Sequence, residues 1–224
     1  LHWMVHSFPT RRSSDLGAVS AGGKPGSGFM SYFLSESTGG FCEIRWHGRG
    51  GQGAITSAKY LAEAAFLNGF RGVTSQPSFG AERRGAPVTA STRLSTEPLR
   101  MFSLVESRDL VVVLDETLLE CAAPTGGLQN GGWIVVNSAR DPEALGLEGG
   151  FRVATADAKG VSREVGLRVA GVAMVNTAML GAVARATGLV DLEHIRLTLE
   201  RHFPAPVAAK NFDAARITYD RTRV

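Results

Sequence analysis

Apolar residues recur along the chain at two spacings, which predict alternating strands and helices. A short β-favouring run ends at Trp46, and Ala54–Leu67 carries apolar residues at helical intervals. The runs at 109–115 and 131–137 are almost continuously apolar, which fits strands buried on both faces of a parallel sheet. The pattern therefore predicts an α/β protein with a Rossmann-like, mostly parallel sheet flanked by helices in a single domain.

Weaker signals complete the predicted sheet. β-Branched residues near Val73, at 88–94 and at 151–155 predict three further strands. Residues 76–87 hold two prolines, two glycines and three charged side chains, which predicts a loop. Long ordered loops in small domains are often functional, although solvated charge alone also explains such a stretch.

The chain from residue 157 onward is predicted to be mostly helical. Three helices are expected there, at residues 170–182, 192–202 and 207–215. The residues of the first helix are small and almost wholly apolar, so this helix should be buried, and Gly188 should end it. Asp191 is placed to cap the second helix.

The first forty residues do not resemble the rest of the chain. Residues 7–16 are polar without periodicity, and residues 17–28 are rich in Gly, Ala and Ser, as linkers are. We therefore predict a disordered or non-native leader over 1–40, with Met30 nearer the native start, and a domain over 41–220.

Composition narrows the functional classes. The chain has 224 residues, 44% hydrophobic and 20% charged, with a formal charge of +3, which is too mild to indicate a nucleic-acid partner. No apolar run approaches the roughly 20 residues that cross a bilayer. Cys42 and Cys121 form no C-x-x-C pair, so a zinc site, an iron–sulfur cluster and a disulfide scaffold are poorly supported. Both cysteines are expected to be small buried residues in a cytoplasmic protein.

A glycine-rich loop separates the first strand from the first helix. Gly48, Gly50 and Gly53 match the G-x-G-x-x-G spacing that lets backbone amides approach a phosphate. A purely structural strand-to-helix turn is the alternative, because such turns are common. Arg45 and Arg49 flank the loop and favour an anionic ligand. A nicotinamide dinucleotide is disfavoured, because the next predicted strand ends without an acidic residue.

Two further positions carry candidate chemistry. Asp115 ends the apolar run at 109–115, at the end of the strand where α/β sheets bind ligands, but we prefer the interpretation that it caps a helix over 117–121. Asn176 lies in an apolar segment and needs partners for its amide, either a neighbouring backbone or a ligand. His194 and His202 have no metal-ligand spacing with a third candidate, so we interpret them as surface or internally paired residues.

Three stretches together resemble one protein family. They are residues 43–53, residues 79–88 and residues 176–182. In combination they resemble the gamma subunit of the 2-oxoacid:ferredoxin oxidoreductases, of which the pyruvate:ferredoxin enzyme is the best-known member. The resemblance covers roughly residues 41–220.

The resemblance implies an activity that composition and spacing do not. Enzymes of this family decarboxylate a 2-oxoacid on thiamine diphosphate, pass electrons through iron–sulfur clusters to ferredoxin, and transfer the acyl group to coenzyme A. It implies that this chain serves the coenzyme A side. It also implies that alpha-, beta- and delta-type partner subunits carry the thiamine diphosphate, magnesium and clusters. From the charge, the apolar runs, the two cysteines and the lack of a nucleophile–base pair, we expect no nucleic acid or membrane partner and no catalytic or metal-binding residue in this chain.

The expected coenzyme A contacts follow from the matching motifs. They are Gly48, Arg49, Gly50, Gly51, Gln52, Gly53, Arg83, Asn176 and Asn211. Loop amides and a guanidinium suit phosphates, and side-chain amides suit the polar atoms of adenine or pantetheine. Two alternatives stay open: a free-standing, non-catalytic nucleotide-binding module, and a nicotinamide-dependent dehydrogenase.

Overall fold

A computed structural model describes residues 41–77, 85–99, 107–169 and 171–224. The leader predicted over 1–40 lies outside these residues, and so do Met30 and Arg83. The first described strand starts at Phe41.

One six-stranded sheet forms the centre of the described fold. Its strands are β1 (Phe41–Arg49), β2 (Gly72–Pro77), β3 (Pro87–Ser95), β4 (Arg108–Val113), β5 (Leu128–Asn137) and β6 (Arg152–Ala156). They lie in the order β2-β3-β1-β4-β5-β6. β3 is antiparallel to both β1 and β2, and the pairs β1–β4, β4–β5 and β5–β6 are parallel. The mostly parallel sheet expected from the apolar runs is confirmed.

Six helices accompany this sheet in the described residues. They are α1 (Ala54–Leu67), α2 (Leu118–Cys121), α3 (Ala158–Glu164), α4 (Ala178–Thr187), α5 (Leu192–His202) and α6 (Ala205–Arg221). The predicted bounds of α1 and α5 are confirmed. Gly188 ends α4 in the left-handed conformation, and the Asp191 carboxylate caps α5 by accepting from the His194 N–H, both as expected.

The two faces of the sheet have separate cores. On one face, Ile44 and Trp46 of β1 pack in a cluster with α1 and with α3 to α6. On the other face, Val111 and Val113 of β4 pack against Leu118 of α2. The connections that leave β1 and β4 therefore run to opposite sides of the sheet, which makes the carboxyl ends of these two strands a topological switch point. Ligands bind at this kind of switch point in open α/β sheets.

The strand after α1 is not the partner of β1. β3 lies between β1 and β2, so the end of β2 is not adjacent to the loop that follows β1. In a dinucleotide-binding unit the second strand pairs with the first and carries the acidic residue. The topology gives a second reason, besides the missing acid, why this chain departs from that unit.

Three expectations were wrong. Residues 170–182 are not one helix, because α4 begins only at Ala178 and a two-residue hairpin, β7 (Arg168–Val169) and β8 (Val172–Ala173), comes before it. Gly171 has a φ of 78°, which suits the turn of that hairpin and interrupts helical periodicity. The last helix is long rather than short, at 17 residues. Cys121 is exposed, because it ends the short α2 at the surface, whereas Cys42 is buried as predicted.

His202 lies at the surface and is paired with a buried carboxylate, which agrees with the expectation of a surface or internally paired residue. Its Nε2 lies 2.6 Å from Oε2 of Glu63, a buried residue of α1, and its ring lies 4.7 Å from that of Tyr60. The pair joins the end of α5 to the middle of α1.

Candidate functional site

The glycine loop, residues 48–53, joins the carboxyl end of β1 to the start of α1. Gly51 and Gly53 have φ values of 94° and 82°, a conformation that costs residues with a side chain about 1–2 kcal/mol. Gly53 is also the N-cap of α1 and provides no side chain to cap the first turn. The first four N–H groups of a helix have no partner within it, so this end of α1 presents donors to an acceptor from outside.

Several loop amides already have partners in the protein. The Gly50 N–H donates to the carbonyl of Ala86 at 2.8 Å, and the Gln52 N–H donates to the carbonyl of Arg49 at 2.9 Å. The Arg49 N–H donates to Oε1 of Gln52 at 2.8 Å. No such bond is formed by the amides of Gly51 and Gly53 within the described part of the chain. A ligand would therefore meet the latter part of the loop and the first turn of α1.

A network centred on Asp115 ties the loop to the end of β4. The Gln52 Nε2 donates to Asp115 Oδ2 at 2.7 Å. The Asp115 Oδ1 accepts from the Thr117 hydroxyl at 2.6 Å and from the Thr117 N–H at 3.1 Å. We call Gln52, Asp115, Thr117 and Arg49 the Asp115 network. The N-cap of α2 is Thr117, and no side chain caps that helix, so the expectation that Asp115 caps it was wrong. Asp115 instead bonds Thr117 and holds the glycine loop.

The electrostatics of Asp115 favour its charged form. Partial burial alone would raise the pKa of this carboxyl, but the hydrogen bonds from Thr117 and Gln52, aided by the nearby Arg49 charge, outweigh it and lower the pKa below its usual value. The carboxylate is therefore a fixed acceptor at neutral pH.

The guanidinium of Arg49 lies beside this carboxylate. Its Nη2 and Nε donate to the Thr117 hydroxyl at 2.7 and 3.3 Å, and its Nη1 donates to the carbonyl of Gly85 at 3.2 Å. Its Nε lies 3.4 Å from Asp115 Oδ2, and 30% of its side chain is exposed. Arg49 thus brings positive charge to the loop while remaining accessible to solvent.

Asn176 lies directly against the glycine loop, although it is far away in sequence. The Ser57 hydroxyl donates to the carbonyl of Asn176 at 3.1 Å. A Cβ placed on Gly53 would lie 2.9 Å from Nδ2 and 3.0 Å from Cβ of Asn176. The segment before α4 therefore packs closely on the start of α1, and only glycine at position 53 leaves room for it.

Asn211 contacts the neighbour of Asn176 rather than the loop. Its Oδ1 accepts from the Thr177 hydroxyl at 2.8 Å, and its Nδ2 donates to the carbonyl of Val207 at 2.8 Å. Asn211 and Thr177 are both buried. Asn211 thus joins α6 to the segment that carries Asn176.

The structure brings the glycine loop and Asn176 together, and Asn211 supports Asn176 from behind. Arg83 lies outside the described residues, and Gly85, which follows it by two residues, contacts the loop through Gly50. Sequence reasoning did not assign roles to Ser57 and Thr117. Their bonds join residues that are 119 and 68 positions apart, and no local pattern signals such pairs.

The family of the chain is shown by its similarity to known proteins. Residues 43–221 match the model of the pyruvate ferredoxin/flavodoxin oxidoreductase family. The chain belongs to that family. The match runs from β1 and its loop to α6.

Relatives identify the type of subunit. The chain is 45% identical over 186 residues to the pyruvate/ketoisovalerate oxidoreductases common subunit gamma of Pyrococcus furiosus, covering 81% of this chain and 97% of that protein. It is 43% identical over 178 residues to pyruvate synthase subunit PorC of Methanothermobacter thermautotrophicus, covering 80% and 94%. The resemblance to gamma subunits is confirmed, so this family member is a gamma-type subunit of a 2-oxoacid:ferredoxin oxidoreductase.

Solved structures share the fold. The pyruvate oxidoreductase subunit PORC from Thermotoga maritima is 39% identical, with a TM-score of 0.70, covering 82% of this chain and 97% of that one. A 2-oxoglutarate:ferredoxin oxidoreductase from Magnetococcus marinus, solved with 2-oxoglutarate, coenzyme A and succinyl-CoA bound, has a TM-score of 0.63. At 20% identity, and with 32% of that chain covered, this second likeness shows the fold alone.

The described residues of this family member lack two further features. None of its helices there is both long and apolar enough to span a bilayer. In the same residues no group of three or more His, Cys, Asp or Glu side chains is placed to hold a metal ion.

Proposed function

We propose that this gamma-type subunit contributes the coenzyme A binding side of a thiamine-diphosphate-dependent 2-oxoacid:ferredoxin oxidoreductase. In the complex, the 2-oxoacid is oxidatively decarboxylated and the acyl group leaves as acyl-CoA. Alpha-, beta- and delta-type subunits hold the thiamine diphosphate, magnesium and iron–sulfur clusters. The role of this chain is to bind and orient the thiol carrier.

The uncapped start of α1 at the switch point of the sheet is the observation that carries the proposal. Gly53 leaves the first-turn amides of α1 without a side-chain cap, and a helix N-terminus favours negative charge. The side chain of Arg49 is 30% exposed, and its guanidinium adds N–H donors beside the loop, although the Asp115 carboxylate at 3.4 Å offsets its charge. Together these groups suit the phosphates of coenzyme A.

Asn176 and Arg83 complete the proposed site. Asn176 contacts Gly53, so an amide side chain lies beside the phosphate-binding amides, where a polar atom of the coenzyme could reach it. Arg83 is assigned from its motif, residues 82–85, and its guanidinium suits a phosphate. Asn211 and Gln52 use their side-chain amides inside the protein, so their part in the proposal is to hold Thr177 and the glycine loop.

The proposal separates two half-reactions, and that separation can be tested. In the assembled complex, Arg83→Ala is expected to raise KM for coenzyme A by about tenfold or more, because a charged hydrogen bond to phosphate is lost. Decarboxylation of the 2-oxoacid, measured as exchange of its carboxyl group with CO₂, should stay largely intact. Both activities are measured on the same preparation.

Arg152→Ala is the matched control. Arg152 begins β6, at the amino end of a parallel strand and therefore on the opposite edge of the sheet from the glycine loop. This variant should leave KM for coenzyme A unchanged. Equal loss of both half-reactions in Arg83→Ala would contradict the proposal, and nucleotide binding by the isolated chain with no effect on the complex would favour a free-standing module.

A further inference from the structure

We infer that Asp115 is a positioning residue for the coenzyme A site, acting on the glycine loop through the side chain of Gln52. The inference rests on the proposed function for its ligand and on described contacts for its mechanism. It assigns to Gln52 the part of a link rather than of a ligand contact.

The side chain of Gln52 is used at both ends. Its Oε1 accepts from the Arg49 N–H at 2.8 Å, and its Nε2 donates to Asp115 Oδ2 at 2.7 Å. The Oε1 bond holds the turn that begins the glycine loop, and the Nε2 bond ties that turn to the residues that follow β4. Movement of the Asp115 carboxylate would therefore be passed directly to the loop backbone.

Asp115 is itself held from a second direction. Its Oδ1 accepts two bonds from Thr117, whose hydroxyl also accepts from the guanidinium of Arg49. The carboxylate thus has donors on both oxygens and stays ionised at neutral pH, because those bonds lower the pKa of Asp115. An acceptor fixed in this way determines the orientation of the Gln52 amide and, through it, the start of the turn.

The polarity of the Gln52–Asp115 bond allows a specific test. Asp115→Asn puts an amide N–H₂ opposite either Nε2 of Gln52 or the N–H of Thr117, so one donor must face another. Gln52→Glu puts two carboxylates face to face. In the double variant the new amide at position 115 donates to the new carboxylate at position 52, which still accepts from the Arg49 N–H. The double variant also restores the total charge of the wild-type pair.

The variants are measured in the assembled complex in two ways. Hydrogen exchange of the Arg49 amide reports the link itself, without coenzyme A. KM for coenzyme A, set against the 2-oxoacid–CO₂ exchange rate, reports its consequence. Each single variant should speed exchange of this amide and raise KM about tenfold, and the double variant should return both to within about threefold of wild type. Asp157→Asn, which alters a helix-capping carboxylate at the end of β6, should change neither.

Each outcome decides the inference. Unchanged amide exchange in both single variants would overturn it, and so would a double variant no better than the singles combined. Suppose the single variants show faster hydrogen exchange of the Arg49 amide but an unchanged KM for coenzyme A, while Arg83→Ala raises that KM. Asp115 would then have no positioning role, and the proposed function would stand. If Arg83→Ala and Asp115→Asn both leave KM unchanged, the proposed function itself has failed.

Discussion

The close packing between Gly53 and Asn176 predicts that Gly53→Ala strongly destabilises the fold, although the substitution adds only one methyl group. The methyl group would meet the side chain of Asn176 at 2.9–3.1 Å, in a segment that is buried. Alanine must also adopt the left-handed φ of 82°. Gly51 has a similar φ of 94°, but apart from Gly51 itself and its chain neighbours no atom of the described residues lies within 4 Å of the position of its added Cβ. Gly51→Ala is therefore a control for the backbone cost alone.

The magnitudes follow from these two terms. The left-handed conformation costs an L-residue about 1–2 kcal/mol, which is the whole expected effect of Gly51→Ala. Overpacking at a tight contact adds about 1–3 kcal/mol, so Gly53→Ala should destabilise by about 2–5 kcal/mol in total. Because Gly53 also presents the first-turn amides of α1, the same variant should weaken coenzyme A binding if the proposed function holds.

Urea unfolding of the isolated chain measures the free energy of both variants, provided that the denaturant slope stays constant. The difference between them isolates the contact with Asn176. Adding Asn176→Ala to each variant removes the amide but keeps a Cβ, so it should recover part of the loss in Gly53→Ala and none in Gly51→Ala. Equal destabilisation by the two glycine substitutions would refute the packing argument.

Two other predictions concern stability. Burial of His47 among Arg45 and Arg108 lowers its pKa to about 4, so the folded state stays unprotonated where the unfolded chain takes up a proton. The free energy of unfolding therefore holds its full value with respect to this group above pH 6.5 and falls by up to roughly 3 kcal/mol as the pH falls towards 4. His47→Gln should flatten the dependence of the unfolding free energy on pH across that range. Gly181→Ala should destabilise the protein by about 3 kcal/mol or more, measured by thermal unfolding. The added methyl group would overlap the carbonyl of Ala215 and push α4 away from α6. A loss of stability below about 1 kcal/mol would show that the two helices move apart freely.

The sequence determined most of the elements. Apolar periodicity located α1, α5 and the buried strands β4 and β5, because the side chains that face the core are set by the local geometry of a helix or strand. Local chemistry also placed helix ends, as the Asp191 cap and the left-handed Gly188 show. Periodicity was wrong for 170–182, where small apolar residues serve a hairpin and a helix equally well and only packing distinguishes them.

The family and the outline of the site were also accessible from the sequence. The glycine loop lies on contiguous residues, so its position between β1 and α1 is a local property. Asn176 could be grouped with the loop only through the resemblance to gamma subunits. Its contact with Gly53 joins segments more than a hundred residues apart, and no local pattern predicts that meeting.

Tertiary structure alone decided how the loop is held. The sequence suggests that Gln52 contacts a ligand and that Asp115 caps a helix. In the structure these two residues, 63 positions apart, bond to each other. That bond exists because β1 and β4 are adjacent parallel strands, which brings their carboxyl ends to the same edge of the sheet. Strand order depends on the packing of the whole core, whereas strand formation depends on a few neighbouring residues. The sequence therefore indicates which groups are present, and the order of the strands decides which of them meet.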